Sequence, residues 1–260
     1  MMSVKNISEE NILDVFRICS VNKLEDRTQL KGIQMKRRWL RKMMKDHGPC
    51  TKIAYVDTIP VAQILFYPEE AVPYIPHQRD GVIILHCAYN PFINFQRRGV
   101  ATTLVESLVN DSRMGLDILD GRPCEYIVAK PFLTGEGFSL DKLYTSLGFI
   151  DGFNEMYREI FGNYEPQELA RYTPLYEDRD RAVLLYEPVC EWNYVHMEQV
   201  KAVLEEIAPD LTVDIYNSWE EPDQSIRRGN QWLVVNAKPI KHYITDLEAF
   251  KKDVKEALEV

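Results

Sequence analysis

The chain has no Cys-x-x-Cys pair, no apolar run long enough to cross a membrane, no basic surplus and no low-complexity tract. Each absence removes a class of protein. The five cysteines (Cys19, Cys50, Cys87, Cys124 and Cys190) are odd in number and widely spaced, which argues against a secreted disulfide framework and a zinc ribbon. A membrane helix needs about 20 consecutive apolar residues, and no segment approaches that. The N-terminus turns acidic at Glu9-Glu10 before any apolar core develops, unlike a signal peptide. A reducing cytoplasm and a metal-free chemistry are therefore expected. A formal net charge of −9 speaks against a protein that coats nucleic acid or an anionic membrane.

What is present is globular. The 260 residues are 45% hydrophobic, with 14 Tyr, 10 Phe and 4 Trp, enough for one large domain or two modest ones. The charge is unevenly placed. Residues 161–260 hold 11 of the 31 basic and 20 of the 40 acidic residues, a balance of −9, so residues 1–160 balance at zero. Eight basic residues (Arg27, Lys31, Lys36, Arg37, Arg38, Arg41, Lys42 and Lys45) follow one another with no intervening acid. Such a run suits either an anionic ligand or a solvated helix face.

Hydrophobic periodicity predicts a helix capped by Ser8 and bearing Ile12, Val15, Phe16 and Cys19, then a basic helix over about 28–45. Strands follow at 51–57 and 60–67, joined at Asp57-Thr58 without the usual glycine. A Pro-containing loop (68–80) leads to the near-continuous apolar run 82–89, read as a central strand covered on both faces. The pattern continues with a helix from near Gly99 to Gly115, a strand at 124–129, a short helix at 139–147 and a strand within 150–159. Residues 161–181, with Pro166 and Pro174, read as a linker. Beyond it the order is strand (182–187), helix behind Cys190, strand (211–216), acidic loop at Glu220, Glu221 and Asp223, strand (231–236), short strand, and a helix opening near Asp246. The fold class is thus α/β (α+β), with a first domain over 1–160 and a smaller α/β domain over 182–260.

The chemistry is concentrated at Gln96-Arg97-Arg98-Gly99-Val100-Ala101. A helix N-terminus offers unpaired N–H groups and the positive end of its dipole, which suits a pyrophosphate. Close approach needs little side-chain bulk, which Gly99 and Ala101 supply, while Arg97 and Arg98 add charge at the rim.

With its surrounding elements, this segment resembles the GNAT superfamily of acetyl-CoA-dependent N-acetyltransferases. Gln96-x-x-Gly99-x-Ala101 matches the family's Q/R-x-x-G-x-G/A signature, and Tyr144-Thr145-Ser146-Leu147-Gly148-Phe149 matches its Y-x-x-L-G-F. The resemblance covers residues 1–160 and implies a GNAT fold with a mixed central sheet. It implies that backbone amides from Arg97 through Thr102, Val100 included, hold the coenzyme A pyrophosphate. Ala88 and Tyr89 would contact the pantetheine arm in a gap between central strands. It gives Tyr144 the role of acid toward the departing thiolate. The family's frequent Asn seven residues before this tyrosine is Gly137 here. Attack by a neutral amine also needs a base, for which His86 and Glu125 are the candidates.

The segment from Arg181 onward resembles a thioredoxin-like unit, although Cys190-Glu191-Trp192-Asn193 lacks the second cysteine. Cys190 precedes a helix, where the dipole favours a thiolate. The expected acceptor is the amine of a small molecule or peptide, a homodimer is compatible, and specificity is sought in loops 68–80 and 130–138, with Glu136. The alternative function is a coenzyme A sensor or interaction protein without efficient transfer.

Overall fold

The computed structural model describes residues 1–132, 139–168 and 170–259. Gly137 and Glu136 lie outside them. The chain divides into two compact units: Met1–Leu24, Arg37–Val72 and His77–Gln167 form one, and Glu25–Lys36, Pro73–Pro76 and Glu168–Val260 the other.

The first unit is built on a seven-stranded mixed sheet. Its strands are β1 (Met2–Asn6), β2 (Thr51–Val56), β3 (Ile59–Pro68), β4 (Val82–Tyr89), β5 (Tyr126–Ala129), β6 (Ile150–Asp151) and β7 (Met156–Glu159), in the spatial order β1-β2-β3-β4-β5-β7-β6. Neighbours are antiparallel except β4 and β5, which run parallel. The helices are α1 (Ile12–Cys19), the second half of α2 (Arg27–Asp46), α3 (Val100–Met114) and α4 (Leu140–Ser146). Nearly every residue of β2 and β3 is buried, so both faces of the sheet are covered there, with α1 and α3 each packed on β3. The hairpin turn works without glycine because Asp57 itself takes a left-handed conformation, φ 55°.

Three local expectations are corrected. The N-cap of α1 is Asn11, not Ser8; the Asn11 side chain accepts from the Ser8 N–H (2.7 Å) and donates to the Asn6 carbonyl (3.0 Å). The expected last strand of this part is two short ones, β6 and β7, reversed through Asn154 at φ 61° with Gly152 N–H bonded to the Glu155 carbonyl. Strand β1 was not anticipated at all.

The second unit holds a four-stranded sheet of β8 (Arg181–Tyr186), β9 (Thr212–Asn217), β10 (Leu233–Val235) and β11 (Lys238–Pro239), in the order β11-β10-β8-β9. β8 and β9 are parallel, and β10 is antiparallel to both β8 and β11. Its helices are α5 (Glu191–Ile207), α6 (Pro222–Arg227) and α7 (Leu247–Leu258), together with the first half of α2. The stretch read as an acidic loop is partly helical, since Pro222 opens α6. Asp246 caps α7 through the Ala249 N–H. Met197, Val200 and Leu204 of α5 meet Phe250 and Val254 of α7 in one core.

The basic run on α2 is not one solvated face. Lys36 is 1% exposed and pairs with the fully buried Glu191 at 2.9 Å. Gly32 lies so close to the start of α5 that an added Cβ would sit 2.1 Å from the Glu191 carbonyl oxygen. Next to Cys190 the helix start is therefore covered, and Glu191 already supplies the negative charge that its dipole favours.

Candidate functional site

The first unit contains a cavity of about 380 Å³ between the end of β4 and the starts of α3 and α4. Its lining brings together Ala88, Tyr89, Gln96, Arg97, Gly99, Val100, Ala101 and Thr102 of the expected residues. Arg98 is exposed and does not line it. Asn90, Phe95 and, from α4, Leu140, Leu143 and Ser146 also line it, although no motif in the sequence marks them.

The floor of the cavity is backbone. Arg97 and Gly99 are both left-handed, φ 56° and 74°, and Gly99 is the N-cap of α3 with no side-chain cap. A Cβ built on Gly99 meets no atom within 4 Å, so the space beside it is open to a ligand. The first helical bond is Thr103 N–H to the Gly99 carbonyl (2.8 Å), which leaves the N–H groups of Val100, Ala101 and Thr102 ahead of the ladder. Alternating backbone conformations and a helix start make a concave, positively polarised cradle for an anion. Arg97 lies at its rim.

Asn90 holds this loop in place. Its side chain accepts from the Phe92 N–H (3.1 Å) and donates to the Phe95 carbonyl (3.1 Å), and its own carbonyl receives the Gln96 side-chain amide (3.0 Å). Gln96 thus shapes the loop rather than presenting its amide to a ligand. An Asn within a polar loop carries no pattern that separates this role from an ordinary turn residue.

At the other wall, β4 parts from its neighbour. Pairing with β5 ends at Leu85 and Ala129, while pairing with β3 continues to Tyr89 and Gln63. Leu85 faces Phe66 and Cys87 faces Leu65, so His86 is the extra residue of a β-bulge. Its Nδ1 lies 3.0 Å from the Tyr67 hydroxyl, and Trp39 packs edge-on against Tyr67 at 5.5 Å between centroids. His86 is half-buried and does not line the cavity.

Tyr144 sits on the core side of α4, 1% exposed, against Phe149 at 5.4 Å. Its hydroxyl has no hydrogen-bond partner among the described residues. Burial, with a smaller contribution from charge at Cys87, pushes the phenol well above its ordinary range. The group is therefore a neutral donor at any physiological pH. Glu125 is elsewhere. It immediately precedes β5 and lies level with Gly81, to whose carbonyl its N–H bonds (2.9 Å). At roughly 3.3 Å per residue, Ala88 is about 20 Å further along β4. Glu125 is also exposed, so it does not serve this cavity as a base.

An anionic cosubstrate with a long, amide-bearing arm fits these features. The cradle suits a pyrophosphate, and the main chain of β4 beyond Leu85 has no β5 partner to compete for its hydrogen bonds. Among the described residues no group of three or more His, Cys, Asp or Glu is arranged to hold a metal, and no helix is long and apolar enough to cross a membrane.

No family model matches the chain, and no curated protein does so significantly. Solved structures give a looser likeness. A GNAT-family acetyltransferase from Brucella melitensis in complex with acetyl-CoA is 17% identical, covers 64% of this chain and 92% of its own, and has a TM-score of 0.43. An N-acetyltransferase from Staphylococcus aureus is 14% identical over 62% of this chain and 99% of its own, TM-score 0.41. One from Thermoplasma acidophilum, in complex with coenzyme A, is 10% identical over 61% and 99%, TM-score 0.43.

Proposed function

We propose that this chain is an acetyl-CoA-dependent N-acetyltransferase of the GNAT type, acting in the cytoplasm on a primary amine of a small molecule or peptide. The observation that carries the reading is the convergence, on one cavity, of the bare α3 N-terminus behind Arg97 and Gly99 with the end of β4 that has lost its β5 neighbour. Bound acetyl-CoA supplies an activated acetyl thioester. The cradle from Arg97 to Thr102 holds its pyrophosphate, and Ala88 and Tyr89 fix its arm by main-chain hydrogen bonds. Tyr144, neutral and with no hydroxyl partner among the described residues, donates to the sulfur that departs. His86, oriented by Tyr67, is the remaining candidate to take the proton from the amine, directly or through water.

The second unit is read as thioredoxin-like, supported by its order of β8-α5-β9 followed by β10-β11-α7. Without a Cys-x-x-Cys pair, and with Glu191 buried beside Cys190, its role is assigned to acceptor recognition rather than dithiol exchange. Its acidic balance suits a cationic amine.

The test uses the full chain. Calorimetry with coenzyme A is paired with thiol-release assays on a panel of polyamines, amino sugars and peptides with free N-termini. Coenzyme A binding together with turnover on at least one amine is the expected result. Absence of binding overturns the reading. Binding with turnover on no amine favours a coenzyme A sensor.

A further inference from the structure

The turn at Arg97 is held in shape by the protein itself. Its φ of 56° is left-handed, a conformation that an arginine keeps only when its surroundings impose it. Apolar packing contributes little, since Ile93 is 83% exposed and residues 97–99 are exposed as well. Hydrogen bonds on both sides of the turn do the holding. On the helix side, the Gly99 carbonyl accepts from the Thr103 N–H (2.8 Å) and from the Thr103 hydroxyl (2.9 Å). On the strand side stands Gln96, immediately before the turn. Its N–H bonds the carbonyls of Phe92 and Ile93 (both 3.2 Å), and its side-chain amide donates to the Asn90 carbonyl (3.0 Å). Asn90 closes the loop from within, its side chain accepting from the Phe92 N–H and donating to the Phe95 carbonyl, 3.1 Å each. Because Asn90 directly follows β4, the same side chain also fixes where the turn stands relative to the end of that strand. Both residues line the cavity.

We propose that Asn90 and Gln96 are positioning residues for the diphosphate end of the cosubstrate, holding the cradle in its binding shape and in register with β4. The inference rests on the coenzyme A reading above. Their side-chain hydrogen bonds go to the loop, so they act through its backbone amides. A loop free to relax would return Arg97 to an ordinary conformation. The amides of residues 97–99 would then turn away from those at the start of α3, and binding would first have to reorder them. With the clamp in place, that ordering is complete once the chain has folded. The consequence is selective. A ligand that carries the diphosphate uses the cradle and depends on the clamp, whereas an arm bound along β4 alone does not.

The experiment uses the full chain and its Asn90→Ala and Gln96→Met variants, with folding checked by thermal midpoint. Calorimetry measures the affinity for coenzyme A, and ligand-observed NMR that for pantetheine, which carries the arm without the diphosphate. Asn90→Ala removes two side-chain hydrogen bonds of the loop and Gln96→Met removes one. Coenzyme A affinity should therefore fall at least about tenfold in the first and about threefold in the second. Pantetheine affinity should stay within about twofold of wild type in both. If Asn90→Ala does not fold, Gln96→Met carries the same test. Wild-type affinity for coenzyme A in either folded variant overturns the positioning role alone, because the cradle then keeps its shape without the clamp. Equal losses for coenzyme A and pantetheine also overturn it, because the substitutions then damage the whole site. A wild-type protein that fails to bind coenzyme A overturns this inference and the proposed function together.

Discussion

Gly99 separates a conformational effect from a ligand effect in one position. Its φ of 74° is left-handed, and an L-residue there costs roughly 1–2 kcal/mol. A Cβ meets no protein atom within 4 Å, so no steric term adds to that strain. Gly99→Ala should therefore lower the thermal midpoint by only a few degrees, at about 2–4 °C per kcal/mol for a chain of this size. The same methyl projects into the space assigned to the pyrophosphate, and coenzyme A affinity should fall at least tenfold. Gly99→Glu adds a carboxylate facing phosphate. At about 5 Å and an effective dielectric near 20, one such charge pair costs about 3 kcal/mol, or at least a hundredfold in affinity. Differential scanning fluorimetry reads the first quantity and isothermal titration calorimetry the second. A variant with the expected loss of stability but wild-type affinity for coenzyme A would place the pyrophosphate somewhere other than this turn.

Tyr144→Phe should reduce acetyl transfer about 10- to 100-fold with little change in coenzyme A affinity, measured by thiol release and calorimetry. Because burial raises its pKa above the ordinary value of 10, Tyr144 stays protonated through neutral and mildly alkaline pH; a loss of rate below pH 10 that disappears in Tyr144→Phe would contradict that. Glu125→Gln should leave the rate within about twofold, since Glu125 lies at the far end of the sheet. Gly32→Ala should destabilise the second unit by about 1–3 kcal/mol, read by chemical denaturation, because its Cβ would sit 2.1 Å from the Glu191 carbonyl oxygen. Arg79→Met should cost about 3–5 kcal/mol, because Arg79 bridges the buried carboxylates of Glu69 and Glu155 at 2.5 Å each and both would lose their cation.

Periodicity made the long elements legible. The apolar run 82–89 and the 3.6-residue pattern after Gly99 became β4 and α3 with nearly the expected ends, because burial on both faces and a glycine at each end of the helix leave few alternatives. β1 was hidden for the opposite reason. Met-Ser-Val-Lys-Asn alternates weakly and becomes a strand only by pairing Met2–Asn6 with Lys52–Val56, a contact the local sequence does not encode. Gly99 and Ala101 were visible because close approach to a helix start favours small residues, while Thr102 was named only through the GNAT resemblance. Asn90 and Leu143 were not, since one acts through loop hydrogen bonds and the other arrives from α4, about fifty residues later. Glu125 shows a further limit. Its strand was anticipated, but in a parallel pair a residue's place along the strand decides which end of the sheet it serves.

The bulge and the strand separation belong to one construction. An extra residue at His86 bends β4 and increases its local twist, and β4 leaves β5 at Leu85, the residue just before the bulge. From there to Tyr89 the side of β4 turned away from β3 resembles a sheet edge in the interior of a domain, a position proteins normally pair or cover. On the proposed coenzyme A reading, an arm with its own amides pairs along this side of β4 as a short substitute strand. The adjoining α3 cradle then fixes where the arm begins. A variant that restores a regular β4, such as deletion of His86, should therefore weaken coenzyme A binding even though the cradle from Arg97 to Thr102 is untouched. Unchanged affinity in a folded deletion variant would show that the arm does not bind along β4.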